Sequence, residues 1–295
     1  MQCLIPLFFL LNQFIFIHCA VLPPRSLYRR NTKQNIGIIA GQKGRSENSD
    51  FFCDASQTAA IENAIGWMNR YAASSYNYLL ESNSKTSAGF IGWFGDGNTD
   101  KASSIRDYIY EPIYDLGSEA KYYVSSLEEV DQTVVIGCGT LHNSPICRRP
   151  GVAAAAQAAD NTIVVCPAAF TNNGYYASDA AEYAAQTLWR DSRTLMSTAG
   201  LTLLHEMTHL PGVVGDFRYW AGNNRADDHV YEPSNCIKLP DDQTITNAQN
   251  YMLFALDARA NSEYAKKQVD MNADSTWNFA IQWLRAGAGG RRETP

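Results

Sequence analysis

The sequence predicts an α+β fold in which helices dominate and the sheet is small. Three observations carry this expectation. Apolar residues recur at helical spacing over several long stretches, only two runs are β-branched and bounded like strands, and no internal repeat divides the chain. At 295 residues, 45% hydrophobic and 18% charged, the chain can bury a full core, and its composition excludes collagen-like and wholly disordered classes.

The elements follow in order. Residues 1–20 form an apolar run with no Asp, Glu, Lys or Arg before Arg25, and read as a signal peptide ending near Cys19-Ala20. The run is short for a membrane span, and no later segment is apolar enough to cross a bilayer, so a secreted, extracellular protein is expected. Residues 21–50 are polar and lack a sustained period; they read as a linker or pro-segment, with Arg29-Arg30 as a dibasic processing site. The domain is expected over 51–285, followed by a disordered tail at 286–295.

Within the domain, Asp54 with Gln57 has the pattern of a capping box, and Ile61, Ile65, Met68 and Ala72 fall on one face of a helix expected to reach about Leu80. Phe90–Phe94 is a short apolar piece closed by Gly95-Asp96-Gly97. Residues 103–127 read as a helix. Thr133–Ile136 and Thr162–Val165 are β-branched runs bounded by Gly or Pro and read as strands. Helices are expected over 177–190 and 196–210, the second stopped by Pro211-Gly212, then over 244–268 and around 274–285.

Net charge is −6, and it is uneven. Arg25, Arg29, Arg30, Lys33, Lys43 and Arg45 outnumber Glu47 and Asp50, which gives residues 21–50 a charge of +4 and residues 51–295 a charge of −10. An acidic body argues against nucleic acid, whose binding rests on neutralised phosphates. Without Cys3 and Cys19 of the signal, five cysteines remain, Cys53, Cys138, Cys147, Cys166 and Cys236. In an oxidising compartment most should pair, and an odd count leaves one over.

His205-Glu206-Met207-Thr208-His209 carries the chemistry. Four residues is about one helical turn, so both imidazoles leave one face and can grip a single Zn²⁺. Glu206 stands between them, able to reach a water on the metal, as a general base must. A catalytic zinc takes a third protein ligand. Gly212 fits the turn of the metzincin pattern, but the ligand position that follows falls on Gly215, which has no side chain. Asp216, Asp227, Asp228 and His229 are the other candidates.

Residues 225–232, Arg-Ala-Asp-Asp-His-Val-Tyr-Glu, resemble the second motif of the aspzincins, the deuterolysin-type fungal metalloendopeptidases, whose signature joins His-Glu-x-x-His to Gly-Thr-x-Asp-x-x-Tyr-Gly. The chain departs from it at Arg225, Ala226 and Glu232. Cys53 at a helix start, Cys138 to Cys166 with its strand, and Asn247–Ala255 are similar to other parts of that family, so the likeness covers about 51–260. The resemblance implies a zincin-like domain, Asp228 as third ligand, Tyr231 as a donor to the oxyanion, and disulfides Cys53–Cys138 and Cys147–Cys166, with Cys166–Cys236 as an alternative. It further implies a monomeric secreted zinc endopeptidase acting on proteins or peptides. Some members prefer lysine, and Asp227 and Glu232 could favour Lys or Arg beside the cut bond. Related fungal surface antigens have Arg in place of the Glu and are associated with zinc binding and host interaction, which makes a zinc carrier the alternative. A metal-free structural protein is the third reading.

Overall fold

Asp54 caps the first long helix. In the computed structural model its carboxylate accepts from the Gln57 N–H at 2.8 Å, and the Gln57 side chain accepts from the Asp54 N–H at 2.9 Å. The structure describes residues 34–40, 51–124, 133–170, 175–215 and 221–269, all within one compact unit, Asn31–Pro295. The expected signal peptide, Arg29-Arg30, the helix around 274–285 and the tail lie outside the described residues. None of the described helices is long and apolar enough to cross a membrane.

Helix α1, Ala55–Leu79, buries the predicted face of Ile61, Ile65, Met68 and Ala72. It is followed by α2, Ala88–Phe94, α3, Asp179–Ser192, α4, Ala199–Thr208, and α5, Ala248–Ala260. The fold is α+β and mainly helical, as expected. Helix α5 is buried along its whole length from Ala248 to Ala258 and packs against α1, α2, α3 and α4. A helix buried all round belongs in the centre of a core. Its one buried carboxylate, Asp257, accepts from Trp93 Nε1 at 2.5 Å, Trp189 Nε1 at 2.7 Å and Arg193 Nη1 at 3.0 Å.

Five strands, β1 Asn35–Ile39, β2 Tyr122–Val124, β3 Thr133–Cys138, β4 Ala154–Gln157 and β5 Thr162–Val165, form one sheet in the order β2-β1-β3-β5-β4. Neighbours run parallel except the edge strand β4, which is antiparallel to β5. The two predicted strands, β3 and β5, are buried throughout. Helix α4 packs against α1, α5 and β4, so the helix that carries the two site histidines runs beside the sheet's edge.

Three expectations change. Residues 35–39, taken as linker, are β1, lying between β2 and β3 with Ile36, Ile38 and Ile39 fully buried. A parallel strand covered on both faces shows no alternation, and three isoleucines among polar neighbours escape a compositional reading. The domain therefore starts no later than Asn35. Residues 103–127 are not one helix: Ala102–Ile105, a π turn at Arg106–Tyr110 and Glu111–Asp115 end at Gly117, which sits at φ 88°. Ile105, Ile109 and Ile113 do line up and are fully buried, but Pro112 lacks a backbone donor and the chain turns back as β2. The helix expected over 244–268 is α5 alone, broken at Asn261 before a short turn at Ser262–Ala265.

Disulfide Cys53–Cys138 ties the start of α1 to the end of β3, and Cys147–Cys166 fastens the chain beyond β5. Cys236 is free and buried, and its thiol is pushed up to about 12 by burial.

Candidate metal centre

Helix α4 ends on the site. His205 lies in its last turn and His209 is its C-cap residue, so their rings come together edge to face with centroids 4.9 Å apart. His209 Nδ1 bonds the Ala226 carbonyl at 2.8 Å, which leaves Nε2 as the inward nitrogen. The two Nε2 atoms stand 3.2 Å apart. Asp228 Oδ1 lies 3.1 Å from His205 Nε2 and 3.3 Å from His209 Nε2. Bonds of the usual zinc length arranged tetrahedrally put donor atoms about 3.3 Å apart. All three sides of the donor triangle match that edge, and these three residues form the one group among the described residues that could hold a metal ion.

The loop that brings Asp228 in is clamped on both sides. The Ala226 N–H donates to the Thr208 carbonyl at 2.9 Å, which fixes the loop to the end of α4. Asp227 exchanges backbone bonds with Thr246 and Ala248 at 2.7 and 2.9 Å. Asn247, fully buried, accepts from the His229 N–H at 2.9 Å and donates to the Val230 carbonyl at 3.1 Å. These bonds turn Asp228 towards the histidines and its neighbours away. Asp227 accepts from Asn223 Nδ2 at 3.2 Å and faces Arg225 at 3.8 Å, and His229 Nε2 bonds Thr246 Oγ1 at 2.8 Å. Neither joins the triangle. Position 215 has no room for a ligand, because a Cβ there would lie 2.4 Å from the Asn224 carbonyl oxygen. Asp216 falls outside the described residues.

The electrostatics suit a cation. Burial pushes the Asp228 carboxyl up, but the two imidazoles beside it more than reverse this and hold it well below the usual carboxylate range. Burial lowers His209, and Asp228, Glu206 and the Ala226 carbonyl outweigh it, raising the imidazole. A divalent ion would replace that proton. Glu206 is 8% exposed, and its Oε2 accepts from the Ala156 N–H of β4 at 2.8 Å. Tyr231 stacks on His205, ring centroids 6.0 Å apart at 24°. Burial, with a hydrogen bond to Asp228, raises its phenol, so it stays protonated at neutral pH.

A cleft of about 1100 Å³ opens over this group, lined by Ala156, His205, Glu206, Asp228 and Tyr231 and also by Gln249 and Met252 of α5. The structure thus brings the five predicted residues to one place and leaves His142 exposed. Three contributors carry no local signal: the β4 N–H on Glu206, the Asn247 clamp, and Glu182. Fully buried, Glu182 accepts from the Gly200 N–H at 2.8 Å, Thr198 Oγ1 at 2.7 Å and Tyr71 OH at 3.0 Å, anchoring the first turn of α4.

Residues 79–256, more than half of the chain, match the model of the family described as lysine-specific metallo-endopeptidase. No match is found among curated proteins.

Proposed function

The chain belongs to the lysine-specific metallo-endopeptidase family, the aspzincins, and from that premise we propose that it is a secreted zinc endopeptidase whose metal is held by His205, His209 and Asp228. The observation that carries the reading is the donor triangle, with sides of 3.1, 3.2 and 3.3 Å around one point. Zinc bound there supplies a Lewis acid that polarises the scissile carbonyl and lowers the pKa of a water towards neutrality.

The chain's own residues do the rest. Glu206, beside the donor triangle, takes the proton of the attacking water on its carboxylate and then delivers it to the leaving amine. The Ala156 N–H, 2.8 Å from Oε2, fixes the carboxylate's orientation while the other oxygen receives the proton. Tyr231, protonated and stacked on His205, donates its O–H to the oxyanion as the carbonyl becomes tetrahedral. The open cleft has room for an extended peptide, which supports a protein or peptide substrate. Two disulfides suit an oxidising, extracellular setting.

The test is digestion of an unfolded protein such as casein by zinc-loaded protein. Internal cleavage that a chelator stops and added Zn²⁺ restores is the expected result. One bound zinc per chain with no cleavage would overturn it in favour of a zinc carrier.

A further inference from the structure

Three amides stand within four residues at the start of α5, and they are used differently. Asn247 binds the site loop. Asn250 donates to the Trp93 and Cys236 carbonyls at 2.6 and 3.3 Å. Gln249, only 7% exposed, makes no side-chain hydrogen bond among the described residues, yet its amide is not sealed away from open space. Gln249 lines the same cleft as Glu206 and Asp228, and so does Met252, one turn further on and 3% exposed. An amide that faces the cleft without a protein partner offers two N–H donors and one carbonyl oxygen to a bound ligand.

The charge of the cleft does not favour a cation there. An ammonium taken out of water needs a carboxylate partner. Of the four acids lining the cleft, Glu206 and Asp228 belong to the metal centre, Asp227 faces Asn223 and Arg225, and Glu232 sits on the exposed rim. Arg149 and Arg225 line the cleft too, and with the two charges of zinc they balance the four acids.

We propose that Gln249 determines specificity: its amide hydrogen-bonds the substrate residue that seats against α5, Met252 packs the stem of that residue, and the site takes an uncharged side chain in preference to Lys or Arg. This rests on the peptidase reading above, and it departs from the lysine preference that the family's description carries. A site that hydrogen-bonds its substrate side chain discriminates against residues that cannot return the bond, and an ammonium seated there would leave water with no carboxylate to face it.

The experiment profiles cleavage of a denatured protein mixture by zinc-loaded wild type, Q249E and Q249A. It then measures kcat/KM on peptides that differ only at the most selective position, as Gln, Met or Lys. Wild type is expected to cut the Gln peptide at least tenfold faster than the Lys peptide. Q249E is expected to move the Lys-to-Gln ratio at least tenfold towards Lys, and Q249A to slow the Gln peptide more than the Met peptide. A wild-type preference for Lys or Arg, or ratios that Q249E and Q249A leave unchanged, would overturn the proposal while leaving the peptidase reading intact. Cleavage of nothing by wild type would sink that reading and this one with it.

Discussion

A chain that begins at Phe51 lacks β1, and the structure sets what that loss means. Ile36, Ile38 and Ile39 are each fully buried. At about 1.5–3 kcal/mol for each large aliphatic side chain removed from water, they contribute roughly 5–9 kcal/mol. The strand also pairs with both β2 and β3, so its removal leaves two strands facing a gap in the middle of the sheet. A folded domain has only about 5–15 kcal/mol in hand. The chain from Phe51 should therefore fail to fold, whereas a chain from Asn31 should fold. A graded version is Ile38→Ala, which should cost about 2–5 kcal/mol through lost burial and the cavity left behind. That moves the urea midpoint down by about 1 M or more. The assay is urea unfolding followed by circular dichroism and tryptophan fluorescence. If the chain from Phe51 unfolds at the same midpoint as the chain from Asn31, or Ile38→Ala shifts stability by less than about 1 kcal/mol, the placement of β1 in the core is wrong.

Three other perturbations bear on the site and its surroundings. Asp228→Ala removes one of three donors and should weaken zinc binding at least about 100-fold in a chelator competition; unchanged affinity would move the third ligand elsewhere. Tyr231→Phe keeps the ring on His205 and removes the O–H, so kcat should fall about 10²–10³-fold with KM little changed; an unaltered kcat would remove Tyr231 from the reaction. Cys236 is buried and its thiol is pushed up by that burial, so it carries little thiolate at pH 8. In protein lacking residues 1–20 it should resist thiol reagents until urea exposes one thiol per chain, and fast labelling of the native protein would contradict its burial.

What the sequence made legible follows the range of each interaction. His205, Glu206 and His209 are a local pattern on one helical turn, and so is the Asp54–Gln57 cap. The runs of β3 and β5 announce themselves because Thr133–Ile136 and Thr162–Val165 are β-branched at every position. Asp228 came from resemblance. Three neighbouring residues carry ligand side chains, and what turns Asp228 inward is a set of tertiary bonds to Thr208, Thr246 and Asn247. Strand β1 was hidden because its burial is supplied by β2 and β3, 80 or more residues away by the register of Gly37 with Tyr122 and Val135. In the stretch 103–127, Ile105, Ile109 and Ile113 keep helical spacing through a π turn and a proline, and the chain leaves the helix at Gly117. The idle amide of Gln249 is a fact of packing alone: its neighbours Asn247 and Asn250 have the same chemistry and are fully engaged.

Glu206→Gln measures the central claim most directly, because it keeps the shape of the side chain and removes only its capacity to carry a proton. The account predicts that the variant binds one zinc per chain with the affinity of wild type, while cleavage of casein falls by about 10²–10⁴-fold. A variant that binds zinc normally and still cleaves at the wild-type rate would contradict it.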